Sequence, residues 1–307
     1  MEKLKKKIGK IKVFYSISRI DHWPKQIFLV PGFVYIFIVE DLNIFNLLNQ
    51  YHLILSCFVC TCLIASANYS INEYLDSKYD KYHPLKKQRA LVSKSIKLIE
   101  IIYYYFFLIF FSFYISYLFN HNKFFNYLLL IFAIAGILYN VKPFRSKDIF
   151  VIDILSEALN NPIRFLLAYF SLSSNFEINY NILLSYWFGG AFLMACKRYA
   201  ERRFIKSEKI LLKYRPSLAK YSNYKLLFLI ILFSILSILY LYLFFLDIGL
   251  VDPFFSLYFI TMFIFYFYIS TNNQGLAQTP EKLFFKINFN LFLIFFLFIL
   301  YILFKIS

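Results

Sequence analysis

The sequence predicts an all-α integral membrane protein that crosses the bilayer nine times. Three observations carry this. The 307 residues are 61% hydrophobic and 23% aromatic, with mean hydropathy +0.61, whereas a soluble domain is nearer half apolar. Apolar stretches suited to helical spans fall at roughly 24–40, 52–71, 98–119, 124–140, 149–171, 181–197, 226–247, 253–271 and 284–304. The basic residues alternate between the connections. Every Lys and Arg except Lys123, Arg164 and Lys305 lies in 1–26, 72–97, 141–148, 197–225 or 272–286, and loops such as 41–51 and 172–180 carry none.

That alternation follows the positive-inside rule. It predicts a cytoplasmic N-terminus, an external C-terminus and cytoplasmic long connections. It also accounts for the net charge of +16 as topology, so no nucleic-acid partner is expected. The basic start Met1–Lys7 leads into no short apolar core with a small-residue cleavage site, which excludes a secretory signal. Residues 1–23 read as a basic cytoplasmic segment and 24–307 as a single nine-helix domain in the membrane. Only seven glycines are present, so packing through small-xxx-small motifs should be sparse. Cys57, Cys60, Cys62 and Cys196 lie within spans and read as buried free thiols.

The elements follow in order. The first span is entered through Arg19-x-x-His22-Trp23-Pro24-Lys25. Trp23 suits an interface anchor, and Lys25 either faces a cavity or snorkels to head groups. The second span runs past its apolar stretch, His52–Ala67, into Asn68-x3-Asn72-x3-Asp76-x3-Asp80. Spacing by four puts these side chains on one helical face. Pro84 ends or kinks that helix, and Lys86, Lys87 and Arg89 follow. The third and fourth spans form a plain apolar hairpin. The fifth is preceded by Tyr139-Asn140-x-Lys142-Pro143-x-Arg145-x-Lys147-Asp148. It then carries Asp153, Glu157, Asn160, Asn161 and Arg164 along one stripe. Charge inside an apolar span is expensive, so that stripe is either a self-satisfied pair or a site lining a cavity. The sixth span closes on Lys197-Arg198-x2-Glu201, and Arg215-Pro216-Ser217-Leu218 follows. The last three spans carry little polarity.

Carboxylates and an amide on one stripe suit Mg²⁺, which takes hard oxygens and shares them with substrate phosphates. Basic residues in the same loops suit the phosphate oxygens. Acid and base together therefore point to a metal–pyrophosphate ligand. A transporter reading would place such charges at the midplane and break the helices there. Here they gather at one face.

Asn72-Glu73-x2-Asp76-x3-Asp80 resembles the first Asp-rich motif of the UbiA superfamily of intramembrane prenyltransferases. Glu73 stands where Asp is commoner. Nine spans and a second acidic motif, Asp153-x3-Glu157, are similar to that family too. The resemblance implies a UbiA-like bundle whose central cavity opens to the cytoplasmic side. Several further motifs resemble the polyprenyl-phosphate (decaprenyl-phosphate) phosphoribosyltransferase branch. They are Arg19…Trp23-x-Lys25, His83-Pro84-x-Lys86-x2-Arg89, Lys197-Arg198-x2-Glu201, Arg215-x-Ser217-Leu218-x2-Tyr221 and Pro280-Glu281-Lys282.

The implied activity is a Mg²⁺-dependent transfer of phosphoribosyl from phosphoribosyl pyrophosphate to a polyprenyl phosphate. The alternative is transfer of a prenyl group from a polyprenyl pyrophosphate to an aromatic or other small acceptor. On either reading Asp76, Asp80 and Asp153 are the expected catalytic residues. Asn72, Asp76, Asp80, Asp153 and Glu157 are the expected metal ligands. Lys25, Lys86, Arg89, Lys142, Arg164, Lys197 and Arg198 are the expected phosphate binders. The expected location is a bacterial inner or plasma membrane.

Overall fold

Among the described residues, the stretches expected at 98–119, 124–140 and 226–247 are helices with boundaries close to those expected. The computed structural model describes residues 2–39, 49–83, 96–205, 207–249 and 253–272, and among these no strand occurs. The chain forms two units, the first from Met1–Glu177 with Ser207–Lys220 and the second from Ile178–Lys206 with Tyr221–Ser307.

In the first unit, α1 (Glu2–Ile17) is followed by a 3₁₀ stretch, Ile20–Leu29, and α2 (Val30–Val39). The basic N-terminal segment is thus a helix. Its Ile17 packs with Ile96 and Ile101, and Lys10 Nζ reaches Glu100 at 2.5 Å. Next come α3 (Tyr51–Asp80), α4 (Leu98–Leu118) and α5 (Lys123–Asn140). A 3₁₀ turn, Ser146–Asp148, leads to α6 (Ile152–Ala158) and α7 (Asn160–Leu172). The short helices α9 (Glu208–Tyr214) and α10 (Pro216–Lys220) complete the unit. Between α7 and α9 the chain contributes α8 (Tyr180–Phe204) to the second unit, which also holds α11 (Asn223–Asp247) and α12 (Pro253–Asn272).

The helices α3, α4, α5 and α11 are long and apolar enough to cross a membrane. The nine expected spans are therefore not all met among the described residues, and 284–304 lies outside them. Two differences have physical causes. The first expected span is divided between the 3₁₀ stretch holding Pro24 and the ten residues of α2. The fifth breaks at Leu159 into α6 and α7. Pro162 has no N–H to give the carbonyl four residues back, and its ring crowds that carbonyl.

The first unit is organised around α3. At 30 residues it extends about 45 Å at 1.5 Å per residue, against a hydrocarbon thickness of about 30 Å. A helix of that length exceeds the apolar layer, and Asn72, Asp76 and Asp80 lie in its last turns. Its buried residues are mostly small, among them Ser56, Cys57, Cys60, Thr61, Ala65, Ser66, Ala67 and Ser70. Close packing comes from these small residues together with a glycine on the facing helix. The Cys60 thiol donates to the Ser112 carbonyl at 3.2 Å, and the Ser112 hydroxyl donates to the Cys60 carbonyl at 3.1 Å. All four cysteines are free and buried. On α5, Gly136 leaves room for Asn68. A Cβ there would come within 2.1 Å of the Asn68 side chain, whose Nδ2 donates to the Phe132 carbonyl at 2.9 Å.

In the second unit α8 and α11 are clasped by reciprocal hydrogen bonds. The Ser185 hydroxyl donates to the Ser237 carbonyl at 2.8 Å, and Ser237 returns the bond at 2.9 Å. Phe192 of α8 meets Phe263 of α12 edge to face, ring centres 4.5 Å apart.

Candidate functional site

The polar cluster at the C-terminal end of α3 is assembled by three segments of the first unit. Asn72 and Asp76, four residues apart, face the same way because the helix repeat brings them round together. The loop after α5 crosses that face. Its two basic residues differ from the one that stands out in sequence: Lys142 is exposed, whereas Arg145 and Lys147 are 7% and 4% exposed. Arg145 has φ 31° and Val151 φ 64°, left-handed conformations that are costly for residues with a Cβ. These two positions bracket the segment that turns Lys147 inward.

Lys147 Nζ donates to three oxygens: Asp76 Oδ1 at 2.5 Å, Asn72 Oδ1 at 2.9 Å and Asn140 Oδ1 at 2.9 Å. An ammonium has three hydrogens, so its capacity is filled. Asn140 is the last residue of α5, which places its side chain beside the loop that carries Lys147. Arg145 shares the same carboxylate oxygen, with Nη2 on Asp76 Oδ1 at 3.0 Å. Its Nε donates to Asp148 Oδ2 at 2.7 Å and its Nη1 to the Asn140 carbonyl at 3.0 Å. The guanidinium also lies 4.8 Å from the Tyr79 ring centre. Burial pushes the Lys147 ammonium down to about 8, although Asp76 pulls it back up.

A second cluster joins the first through Lys147. The Ser217 hydroxyl of α10 donates to the Lys147 carbonyl at 2.7 Å and sits 3.4 Å from Asp153 Oδ2. Asp153, on α6, is fully buried, with Arg215 Nη2 at 3.7 Å. The same Arg215 nitrogen donates to the Tyr139 hydroxyl at 2.7 Å, and that hydroxyl donates to Glu157 Oε2 at 2.8 Å. Two carboxylates, a guanidinium and two hydroxyls thus form one chain of bonds.

The residues expected from sequence divide as follows. Asn72 and Asp76 share one cationic centre, and Asp153 and Glu157 share the Arg215–Tyr139 link. Asp80 is buried at the last residue of α3. Arg164 points elsewhere in the first unit. Its Nε donates to Gln26 Oε1 at 2.9 Å and its Nη1 to the Asn160 carbonyl at 3.3 Å. Lys25 lies over the Tyr69 ring at 5.8 Å. Glu73 accepts from Arg19 Nη1 at 2.7 Å and so ties α3 to the turn after α1. Lys197 and Arg198 belong to the second unit, where Arg198 is fully buried with Glu201 at 3.8 Å. Lys86 and Arg89 lie outside the described residues.

Asn140, Arg145, Lys147, Arg215, Ser217 and Tyr139 stand in the motifs quoted from the sequence but were given no catalytic, metal or phosphate-binding role there. The available signal was the density of polar residues in 139–148. Choosing among them depended on which lysine the loop buries. No three His, Cys, Asp or Glu side chains converge as a metal group among the described residues. The oxygen set on Lys147 is one carboxylate and two amides.

A helical membrane protein that ends its longest apolar helix in a charged, oxygen-rich cluster belongs with the intramembrane enzymes rather than the simple anchors. The chain belongs to the UbiA prenyltransferase family, whose model matches residues 28–303, and that membership makes it a transferase. Similar solved structures include a UbiA homolog from Archaeoglobus fulgidus bound to DMAPP and Mg²⁺. It is 20% identical with TM-score 0.67, over 91% of this chain and 96% of that one. The same homolog bound to GPP and Mg²⁺ gives TM-score 0.64 at 20% identity, and bound to Cd²⁺ 0.63 at 19%, each with the same coverage. At that identity the likeness concerns the fold. No curated protein sequence matches the chain.

Proposed function

We propose that the chain transfers a group from a diphosphate ester held with Mg²⁺, and that this group is phosphoribosyl, passed from phosphoribosyl pyrophosphate to a polyprenyl phosphate with release of pyrophosphate. The observation that carries the reading is the convergence of Asn72, Asp76 and Asn140 oxygens on one cationic centre. A carboxylate and two amide oxygens already surrounding a cation are the donor chemistry Mg²⁺ takes, the remaining positions going to water and phosphate. Asn72, Asp76 and Asn140 are therefore the residues to hold it, with Asp80 one turn on. Its contribution when bound is to neutralise charge on the departing diphosphate.

The chain's own residues supply the rest. Arg145 and Arg215 offer planar forks for phosphate oxygens. Asp153, Glu157, Tyr139 and Ser217 form a hydrogen-bonding wall suited to orienting sugar hydroxyls, or to a second metal. Lys25, Lys86, Arg89, Lys142, Arg164, Lys197 and Arg198 remain the further phosphate-binding candidates. Apolar helices keep water from a cation-like reacting carbon and accommodate a polyprenyl tail. Support for phosphoribosyl transfer comes from Arg215 and Ser217, part of the branch-like motif, standing beside Asp153. The basic connections support an active face on the cytoplasmic side, with the protein in a bacterial plasma membrane.

Prenyl transfer to a small acceptor is the second reading. It is favoured by the DMAPP and GPP bound to the Archaeoglobus homolog. Purified protein supplied with labelled phosphoribosyl pyrophosphate and polyprenyl phosphate should make a charged lipid, and a chelator should stop it. A labelled product formed only from a prenyl diphosphate and an aromatic acceptor would select the second reading. No product from either donor pair would end both.

A further inference from the structure

We propose that Lys147 and a divalent cation are alternative occupants of the oxygen set formed by Asn72, Asp76 and Asn140, so that metal enters as the lysine leaves and the displaced ammonium is received by the diphosphate. The inference rests on the metal–diphosphate reading above and adds an order to it. Three oxygens lie 2.5–2.9 Å from Lys147 Nζ. Mg²⁺ requires oxygens at about 2.0–2.1 Å and cannot share so small a space with an ammonium. One of the two must go.

The neighbouring groups decide which can move. Arg145 is held at Asp148, at the Asn140 carbonyl and at Asp76, and it stacks near Tyr79. Its planar fork is committed in three directions. Lys147 is held along its backbone, where its carbonyl accepts from Ser217, but its charge sits on a flexible four-carbon stem. The stem can swing while the backbone stays.

Charge balance supplies the coupling. Asp76 and Asp148 face Arg145 and Lys147, so this cluster is neutral. A metal arriving alone meets a resident cation. A diphosphate arriving alone meets cations already paired. Arriving together, metal and diphosphate exchange partners with Lys147: the carboxylate of Asp76 passes from ammonium to metal and the ammonium passes to a phosphate oxygen, so no group is left facing only like charge. Each ligand therefore tightens the other.

The test uses Mn²⁺ as the probe, with free Mn²⁺ read by electron paramagnetic resonance, on the full chain in detergent with and without inorganic pyrophosphate. The intact protein should bind Mn²⁺ weakly alone and about tenfold or more tightly with pyrophosphate. Lys147→Met should bind Mn²⁺ alone about tenfold or more tightly than the intact protein, with most of the pyrophosphate effect lost. Lys147→Gln, which keeps a polar side chain without the charge, carries the same expectation should the methionine variant fail to fold. Equal Mn²⁺ affinity in the intact and Lys147 variants, with Asp76→Asn abolishing binding, would overturn the exchange while leaving the metal site standing. Mn²⁺ binding untouched by Asp76→Asn would overturn the metal reading and the exchange together.

Discussion

The two ends of α3 both carry buried polar side chains, yet they are built on opposite principles. At its N-terminal end everything is neutral. The Ser56 hydroxyl lies 2.7 Å from His121 Nε2 and 3.0 Å from the Leu53 carbonyl. Asn122 caps α5 and donates to the Phe170 and Ser173 carbonyls at 2.6 and 2.7 Å. His121 stacks on Phe125 at 4.1 Å, and burial pushes its imidazole down to about 4. At the C-terminal end Asp76 takes both Arg145 and Lys147 on a single oxygen. A neutral seam gives each group a fixed partner and holds helices together. A charged cluster in which one carboxylate serves two cations can exchange partners, and exchange is what binding an ionic ligand requires.

Four measurements sharpen or break that contrast. The largest effect is expected from Asp76→Asn, which should lower turnover of a diphosphate donor about 10²–10³-fold, the scale of losing one electrostatic stabiliser. Near-normal turnover would make the charged end as structural as the neutral one. Gly136→Ala should destabilise the fold by about 1–3 kcal/mol through overpacking against Asn68, read as a lower melting temperature. An unchanged melt would show that Asn68 is not a packing residue. Ser56→Ala should cost about 1 kcal/mol of stability and leave donor turnover unaltered, since the neutral seam takes no part in chemistry. A turnover change exceeding the stability change would blur the distinction between the ends.

The smallest effect is a pH dependence at the neutral end. Unfolded His121 takes a proton near pH 6.5, whereas the folded imidazole resists until about pH 4. The unfolded state therefore binds more protons in that window, and stability falls as pH drops from about 6.5 towards 4. His121→Gln should flatten the fall in melting temperature between pH 7 and 5. An identical slope in the variant would assign the acid sensitivity to other groups.

Much of this was legible without coordinates. Spans and helix ends followed from apolar length, as α3, α4, α5 and α11 attest. The alignment of Asn72 with Asp76 followed from a spacing of four. Less legible was which basic residue serves the site. Lys142 and Lys147 are chemically equal in a one-dimensional reading, and only the path of the loop exposes one and buries the other. Glu73 lies beside Asn72 in the motif but turns to Arg19 across the helix. Asn68 begins the polar stripe and ends as a packing residue against a glycine. The stripe from Asp153 to Arg164 looked continuous until Pro162 divided it, sending Asp153 towards Arg215 and Arg164 towards Gln26.

By itself the sequence determined that this chain is helical, membrane-embedded and charged at one end of its longest helix. Those properties are set by the length of apolar runs, by the periodicity of neighbouring residues and by the cost of charge in hydrocarbon, all of which act over a few turns. The tertiary structure alone decided that Asp76 meets a lysine 71 residues away and that Asp153 meets an arginine on a separate short helical segment. Contacts of that kind depend on how helices close on one another, and the energy that selects them is shared among many residues rather than written in any one motif.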